Sequence, residues 1–244
     1  GRPSSWSASI DALARGSAAS PPRLVVVAAG NTDPDHRHEF PESNLTDAIH
    51  DPGQSWNALT VGAYTEKVQI DNKKYPSWKP ISPSGDLSPS SCTSLEWKQS
   101  WPLKPDIVME GGNMALRPDD KHATHVPSLQ LLSSSREVVT QPLTVMRETS
   151  AATALTARTA AMLESEYPEF WPETVRALLV HSADWTPAMK KRFEPLHTRE
   201  KKSRLLRYCG FGRPDLNELF WSARNRLTLI AQDTLQPFDK VDGK

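Results

Sequence analysis

The 244-residue chain carries 29 basic and 29 acidic side chains, with 37% hydrophobic and 24% charged residues. This composition excludes wholesale disorder and gives no overall charge for binding a polyanion, while the length suffices for one domain with a real core. The most compact apolar run, Leu24 to Ala29, is far shorter than the roughly 18 residues of a membrane span, so we expect a soluble protein of unassigned location without a membrane partner.

The first elements are a short helix and a set of buried strands. Trp6, Ile10 and Leu13 recur at helical spacing before Gly16, which predicts a helix and its end. Residues 24–29 form a continuous, largely β-branched run, which is typical of a strand covered on both faces of a parallel sheet. Similar short runs predict further strands near residues 58–63 and 105–109.

The second half of the chain alternates helices with polar segments. The Ala- and Leu-rich stretch from Ser150 to about Glu166 predicts a buried helix, and Pro172 begins another. Residues 190–207 hold eight basic and two acidic side chains without interleaved aromatics, which favours a solvated linker between helices over a nucleic-acid site. A terminal strand is predicted at residues 227–231, and the whole pattern indicates an α/β fold with a mostly parallel sheet.

Asn31 follows the first buried strand, in the pair Gly30-Asn31. Ligands of open α/β sheets gather at the carboxyl ends of strands, so an amide donor here is placed to meet a substrate. Gly-Asn is also common in ordinary turns, so the residues alone do not exclude a purely structural role for this pair.

Ser150 begins the Ala-rich helix and allows two interpretations. Serine is a preferred N-cap residue, which is a purely structural role. A helix N-terminus also presents unpaired N–H groups and a positive dipole end, and these stabilise an oxyanion that forms beside a reactive serine.

Taken in order, these segments resemble the subtilisin-like serine proteases from about residue 1 to 223. The resemblance rests on Ala28-Ala29-Gly30-Asn31, on Thr149-Ser150-Ala151, on the two intervening strands, and on Tyr208-Cys209-Gly210-Phe211-Gly212. It implies a three-layer α/β/α fold in residues 1–225, followed by a terminal strand or further segment in 226–244. It also implies serine endopeptidase chemistry on a peptide or protein substrate.

The resemblance assigns roles to single positions. Ser150 is expected to be the nucleophile, and Asn31 and the backbone N–H of Ser150 the oxyanion donors. Thr149 is expected to contact substrate. The run Ala28, Ala29 and Gly30 is expected to form one wall of the pocket for the residue before the scissile bond, where small side chains admit a large substrate side chain.

Three departures from the family pattern alter the surroundings of the serine. Glu148 stands where the family has Gly, and its side chain is expected either to crowd the substrate or to place a negative charge beside the nucleophile. Ala154 and Leu155 replace the Pro-His that usually follows the serine. Glu110 replaces the Pro of an Ala-Pro-Gly turn.

The general base and its acidic partner are not found in this sequence. A serine nucleophile needs a histidine to take its proton and a carboxylate to orient that histidine. The family carries these in Asp-x-Gly and His-Gly-Thr motifs before the Asn, and neither motif precedes Asn31 in this sequence. We therefore expect the carboxyl-terminal portion of a catalytic domain, whose amino-terminal part lies upstream and whose activity needs that segment. The alternative is an inactive pseudoprotease or binding module with the same fold.

The sequence indicates no cofactor. The run Asp33-Pro34-Asp35-His36-Arg37-His38-Glu39 contains potential metal ligands, but their spacing matches no defined site, and a solvated loop is expected. Calcium is common in the resembling family, yet no calcium-loop signature is present. Cys92 and Cys209 form no paired motif and predict neither a disulfide scaffold nor a zinc site.

Overall fold

The computed structural model describes residues 4–17, 19–118, 122–225 and 230–233. The helices are α1 (Ser5–Arg15), α2 (Glu42–Thr46), α3 (Glu148–Glu166), α4 (Pro172–His181), α5 (Pro187–Phe193), α6 (Arg199–Cys209) and α7 (Leu216–Asn225), with 3₁₀ turns at Pro34–Glu39 and Pro127–Leu129. The strands are β1 (Val26–Ala28), β2 (Leu59–Tyr64), β3 (Lys79–Pro80), β4 (Ile107–Glu110), β5 (Ala115–Leu116), β6 (Ala123–Thr124), β7 (Leu131–Ser134), β8 (Leu143–Met146), β9 (Ala183–Asp184) and β10 (Arg213–Pro214). Within these ranges no helix has both the length and the apolar character that crossing a membrane requires.

A parallel sheet in the order β1-β2-β4 forms the centre of the fold. Val26 pairs with Leu59, and Val61 pairs with Ile107. All six residues of β2 are buried, as a continuous apolar run in a central parallel strand requires. The prediction of an α/β fold with three parallel strands near these positions is confirmed, with the strand ends shifted by one or two residues.

Strand β1 differs from the prediction of a strand covered on both faces. It lies at the edge of the three-stranded sheet, and each of its residues is only half-buried. Its β-branched run therefore reflects strand formation, while the degree of burial is set by its edge position, which the sequence pattern does not encode.

Helices cover both faces of the sheet and make three layers. On one face α3 and α4 pack against Leu59, Val61 and Ile107 through small or branched side chains such as Ala152 and Leu179. On the other face Val108 contacts a cluster from α5 and α6 that includes Met189, Leu205 and Tyr208. Because Ile107 and Val108 are neighbours in β4, they point to opposite faces, and one strand joins the two cores.

Helix α1 forms where the apolar spacing predicts it, but a different face is buried. The hydroxyl of Ser4 caps the helix by accepting from the Ser7 N–H at 3.1 Å. Ser7 and Ala14 are buried, whereas Trp6 is 58% exposed. Small residues thus face the body of the protein together with the half-buried Ile10, while Trp6 and Leu13 of the apolar stripe lie toward the surface.

The basic segment 190–207 is not a linker, and that prediction is wrong. Most of it lies in α5 and α6, and the side chain of Thr198 caps α6. Leu205, Tyr208 and Cys209 share a buried face of this helix. Arg207 is buried and donates to the carbonyl oxygens of Ser94, Lys98 and Trp101, so part of the positive charge is structural.

A buried ionic cluster lies next to the start of β4. Lys104 Nζ lies 2.6 Å from Asp106 Oδ2 and also donates to the Ala58 carbonyl at 2.9 Å. The second oxygen of Asp106 accepts from Arg176 at 3.1 Å, and Oδ2 also accepts from the Thr60 N–H. Burial lowers the pKa of Lys104, and the Asp106 carboxylate opposes that shift. Asp106 is therefore the common partner of two cations and a strand N–H.

Residues 226–229 and 234–244, which include most of the predicted terminal strand at 227–231, lie outside the described residues, while Ile230 and Ala231 are described and are not in a strand. Over the undescribed residues the strand or further segment remains a prediction.

Candidate active site

Asn31 is held at the carboxyl end of β1 by backbone contacts. The Ala29 N–H donates to the Val61 carbonyl at 2.9 Å. Gly30 has φ 98°, and a Cβ on it would lie 2.7 Å from Cγ of His50. Glycine is therefore required by conformation and by space, and the Asn31 that follows forms an antiparallel bridge with Ser91.

The side chain of Asn31 is oriented by Thr149. Its Oδ1 accepts from the Thr149 hydroxyl at 2.8 Å and from the Thr149 N–H at 3.2 Å. A backbone N–H is only a donor, so the atom that meets it is the amide oxygen rather than the nitrogen. The amide nitrogen of Asn31 consequently faces another direction and is available to a ligand oxygen.

Ser150 lies in the first turn of α3 with an exposed side chain. The helix begins at Glu148 with Arg147 in the N-cap position, so the interpretation of Ser150 as the N-cap is wrong. The Glu148 N–H donates to the Gly111 carbonyl at 2.6 Å, and the Thr149 N–H is used by Asn31. Among the described residues, the N–H of Ser150 has no hydrogen-bond partner, as is usual in the first turn of a helix.

The structure thus brings together three residues that the sequence separates widely. Asn31 contacts Thr149 directly, and Thr149 precedes Ser150 in the chain. A side-chain amide donor, a helix N-terminus and an exposed hydroxyl meet at one end of the parallel sheet. This arrangement can stabilise a negatively charged oxygen next to a nucleophile.

Glu148 does not direct its charge toward the exposed hydroxyl. It adopts φ 68°, an unusual conformation for a non-glycine residue. Its Oε1 lies 2.5 Å from Nη1 of Arg37 and 3.6 Å from Nε2 of His125. Burial, together with the charge of Arg147, lowers the pKa of His125 to about 4, so this imidazole is neutral at pH 7 and Arg37 is the cation that balances the carboxylate.

The other departures from the family pattern are accommodated by local contacts. The Glu110 carboxylate accepts from the N–H groups of Glu66 at 2.7 Å and Gly112 at 2.8 Å, so it closes the turn after β4. Leu155 packs against the core cluster on the α3 face of the sheet, while Ala154 is exposed.

A cavity of about 460 Å³ lies beside Asn31. Its lining combines the loop after β1 with the segment before β2: Asn31, Thr32, Asp33, Pro34, Thr46, Asp47, Ala48 and His50. None of the three residues expected to form a pocket wall lines this cavity: Ala29 is fully buried against Ile49 and Cys92, and Ala28 and Gly30 are half-buried outside the lining.

His50 and Asp47 are parts of this cavity that sequence reasoning missed. They lie in a polar, Pro-punctuated segment without a recognisable motif. The same holds for Arg37 and His125, which reach Glu148 from distant loops. The one available signal was Glu148 itself, since a carboxylate in place of glycine beside a buried helix start requires a partner.

The run Asp33 to Glu39 forms a capped 3₁₀ turn. The Asp33 carboxylate accepts from the Asp35 N–H at 3.0 Å, and Arg37 points inward. In the part of the chain that the structure describes, no three His, Cys, Asp or Glu side chains are grouped so that they could hold a metal ion.

The chain is similar to known proteins over most of its length. The model of the subtilase family, peptidase S8, matches residues 1–212. An uncharacterized protein, y4bN, of Sinorhizobium fredii (strain NBRC 101917 / NGR234) is 26% identical over 258 residues, which cover 98% of this chain and 56% of that protein. The chain thus spans little more than half the length of this relative.

Solved structures that resemble the chain include two proteases. The self-cleaved protease domain of PatA is 20% identical, with a TM-score of 0.45 over 81% of this chain and 49% of that one. The epidermin leader peptide processing serine protease EpiP from Staphylococcus aureus is 16% identical, with a TM-score of 0.45 over 84% of this chain and 42% of that one.

Proposed function

The chain belongs to the subtilase family, and from that premise we propose that it supplies the nucleophile and the oxyanion donors of a subtilisin-like serine endopeptidase. Ser150 is the proposed nucleophile. The Asn31 amide nitrogen and the Ser150 N–H are the proposed donors. The observation that carries this proposal is the pair of hydrogen bonds from Thr149, which orient the Asn31 amide beside the start of α3.

The proposed reaction is acyl transfer to Ser150. Its Oγ attacks the substrate carbonyl carbon and forms a C–O bond, while a histidine takes the hydroxyl proton. The carbonyl oxygen becomes an oxyanion that accepts from Asn31 and the Ser150 N–H. Collapse breaks the peptide C–N bond as the histidine returns the proton to the leaving amine, and water then releases the acyl group by the same steps in reverse order.

The histidine and its carboxylate partner are proposed to come from a segment outside these 244 residues. His125 does not fit the task, because its Nε2 faces Glu148 and its pKa of about 4 makes it a poor proton acceptor at neutral pH. Neither Asp-x-Gly nor His-Gly-Thr precedes Asn31, and the curated relative is longer than this chain; both observations support the proposal.

Labelling with a fluorophosphonate tests this division of the active site. We expect the 244-residue chain alone not to be labelled, because no base activates Ser150. A longer protein that includes the preceding segment of its polypeptide is expected to be labelled at Ser150 and to hydrolyse peptides. Heat-denatured protein is the control for nonspecific reaction.

Two results would contradict the proposal. Hydrolysis by the 244-residue chain at the rate of the longer protein would show that no upstream base is needed. A longer protein that folds and binds peptides, but is not labelled at Ser150, would instead be a pseudoprotease.

The cavity beside Asn31 is the proposed pocket for the substrate residue before the scissile bond. The carbonyl of that residue must lie at Asn31, so its side chain is next to the cavity lined by Asp33, Asp47 and His50. Backbone N–H groups use one oxygen of each carboxylate: Asp33 N donates to Asp47 Oδ2 at 2.7 Å, and Asp35 N donates to Asp33 Oδ1. The other oxygens leave the pocket negative, which favours a basic substrate side chain over an acidic one.

Asp47→Asn is expected to reduce the preference for lysine over glutamate in this substrate position about five- to tenfold, since a partly exposed charge contributes on the order of 1 kcal/mol. The ratio of kcat/KM for two peptides that differ only there measures the effect. Glu164→Gln, which removes an exposed carboxylate from α3, is the matched control. An unchanged ratio in the Asp47 variant would place the substrate side chain elsewhere.

A further inference from the structure

Arg37 connects the two segments that carry the proposed oxyanion donors. Its Nε and Nη2 donate to the Thr32 carbonyl at 3.2 Å and 3.0 Å. Its Nη1 lies 2.5 Å from Glu148 Oε1. Thr32 follows Asn31 in the chain, and Glu148 stands two positions before Ser150. One guanidinium therefore holds the residue after one donor and the residue two positions before the other.

This connection is buried and matched in charge. The side chain of Arg37 is 5% exposed and that of Glu148 is 20% exposed. A charge-assisted contact in such surroundings is stronger and better oriented than an ion pair in water. Breaking it leaves the partner charge uncompensated in a poorly solvated place, which is costly.

The charge of Glu148 has a direct bearing on the proposed chemistry. A free carboxylate beside the start of α3 would oppose the negative charge that develops on the substrate oxygen. The contact with Arg37 compensates that carboxylate and fixes its direction. It also holds Glu148 in its left-handed conformation, which a non-glycine residue adopts only when its surroundings enforce it.

We propose that Arg37 is a positioning residue for the acyl transfer proposed above: it neutralises Glu148 and ties the Asn31 loop to the start of α3, so that both oxyanion donors are correctly placed. The inference rests on the proposed function. It explains why this chain has glutamate in place of the family's glycine, since Arg37 and Glu148 form a unit in which each residue requires the other.

The test uses the full-length protein and four variants: Arg37→Met, Arg37→Lys, Glu148→Gln and the double variant Arg37→Met with Glu148→Gln. Arg37→Met is expected to lower kcat by about 10- to 100-fold with KM within about threefold, because an uncompensated carboxylate opposes the oxyanion rather than substrate binding. Adding Glu148→Gln is expected to restore kcat about tenfold, because it removes the opposing charge. Arg37→Lys keeps the charge and is expected to fall between Arg37→Met and wild type.

Rescue separates positioning from a purely structural role. If Arg37 served only to satisfy the Thr32 carbonyl, the second substitution would not help, so a double variant no faster than Arg37→Met would overturn the inference. If Arg37→Met does not fold, Arg37→Lys is compared with wild type instead: a fall in kcat of less than about 10-fold supports the inference, and a larger fall overturns it. Arg136→Met, which removes an exposed arginine paired with Glu137, is the matched control.

Labelling of Ser150 in the wild-type protein tests the proposed function separately from the role of Arg37. Wild-type protein that is not labelled by a fluorophosphonate at Ser150 would overturn the proposed function and, with it, the role of Arg37. Wild-type protein that is labelled, combined with no rescue in the double variant, would overturn the role of Arg37 alone.

Discussion

Ser150→Ala in the full-length protein is expected to lower kcat for peptide hydrolysis on the order of 10⁶-fold, because the atom that forms the acyl bond is removed. Asn31→Ala is expected to lower kcat by only about 10²- to 10³-fold with little change in KM, since one of two oxyanion donors remains. Steady-state kinetics with a single peptide measures both effects. The loss in kcat is expected to be larger for Ser150→Ala than for Asn31→Ala, because the first removes the nucleophile and the second removes one of two oxyanion donors.

The predictions for Ser150→Ala and Asn31→Ala would each be contradicted by a different result. Ser133→Ala removes a hydroxyl from β7, outside the proposed site, and serves as the control for loss of a serine. Activity that survives Ser150→Ala would show that another group is the nucleophile. A large rise in KM with unchanged kcat in Asn31→Ala would make Asn31 a ground-state binding residue instead of an oxyanion donor.

Asp106→Ala is expected to lower the free energy of unfolding by about 3–5 kcal/mol, the usual loss when one member of a buried ion pair is removed. The substitution leaves Lys104 buried at 1% exposure without its carboxylate, and it also deprives Arg176 and the Thr60 N–H of an acceptor. Denaturant titration measures the change in the free energy of unfolding.

Glu137→Ala is the matched control for this substitution. It removes a carboxylate from an exposed ion pair with Arg136, for which a change within about 0.5 kcal/mol is expected. A loss below about 1 kcal/mol in Asp106→Ala would show that Lys104 finds other partners or loses its proton when the carboxylate is absent.

The strands and main helices could be predicted because their signals are local. The continuous β-branched run before Gly30 and the Ala-rich stretch after Ser150 are recognisable from their own residues, and the structure places β1 and α3 there. The start of α3 at Glu148 escaped prediction, because its first turn is fixed by the contact with the Gly111 carbonyl and not by a preferred capping side chain.

The basic segment shows how composition can hide a helix. Leu205, Tyr208 and Cys209 stand at helical spacing and become the buried face of α6. The surrounding lysines and arginines masked that pattern, although Thr198 supplied a recognisable cap. The helical spacing of the apolar residues therefore predicts the structure of this segment better than its charge does.

The partners of Glu148 could not be predicted, because they depend on tertiary structure. Arg37 lies 111 positions away in the sequence, in a turn rich in charged residues where nothing distinguishes it from its neighbours. His50 reaches Gly30 only because the loop before β2 folds back over the end of β1. Site residues on loops of this kind are defined by the sheet that brings the loops together.

The hydrogen bond between Asn31 and Thr149 has a kinetic consequence. It joins residues 118 positions apart, across a parallel sheet whose strands pair only through long connections. Contacts of such high sequence separation form late and slowly during folding. Partly folded chains therefore contain Ser150 without an oriented Asn31 amide beside it. With the roles proposed above, we expect such chains to hydrolyse peptides at least about 10²-fold more slowly until the sheet is complete.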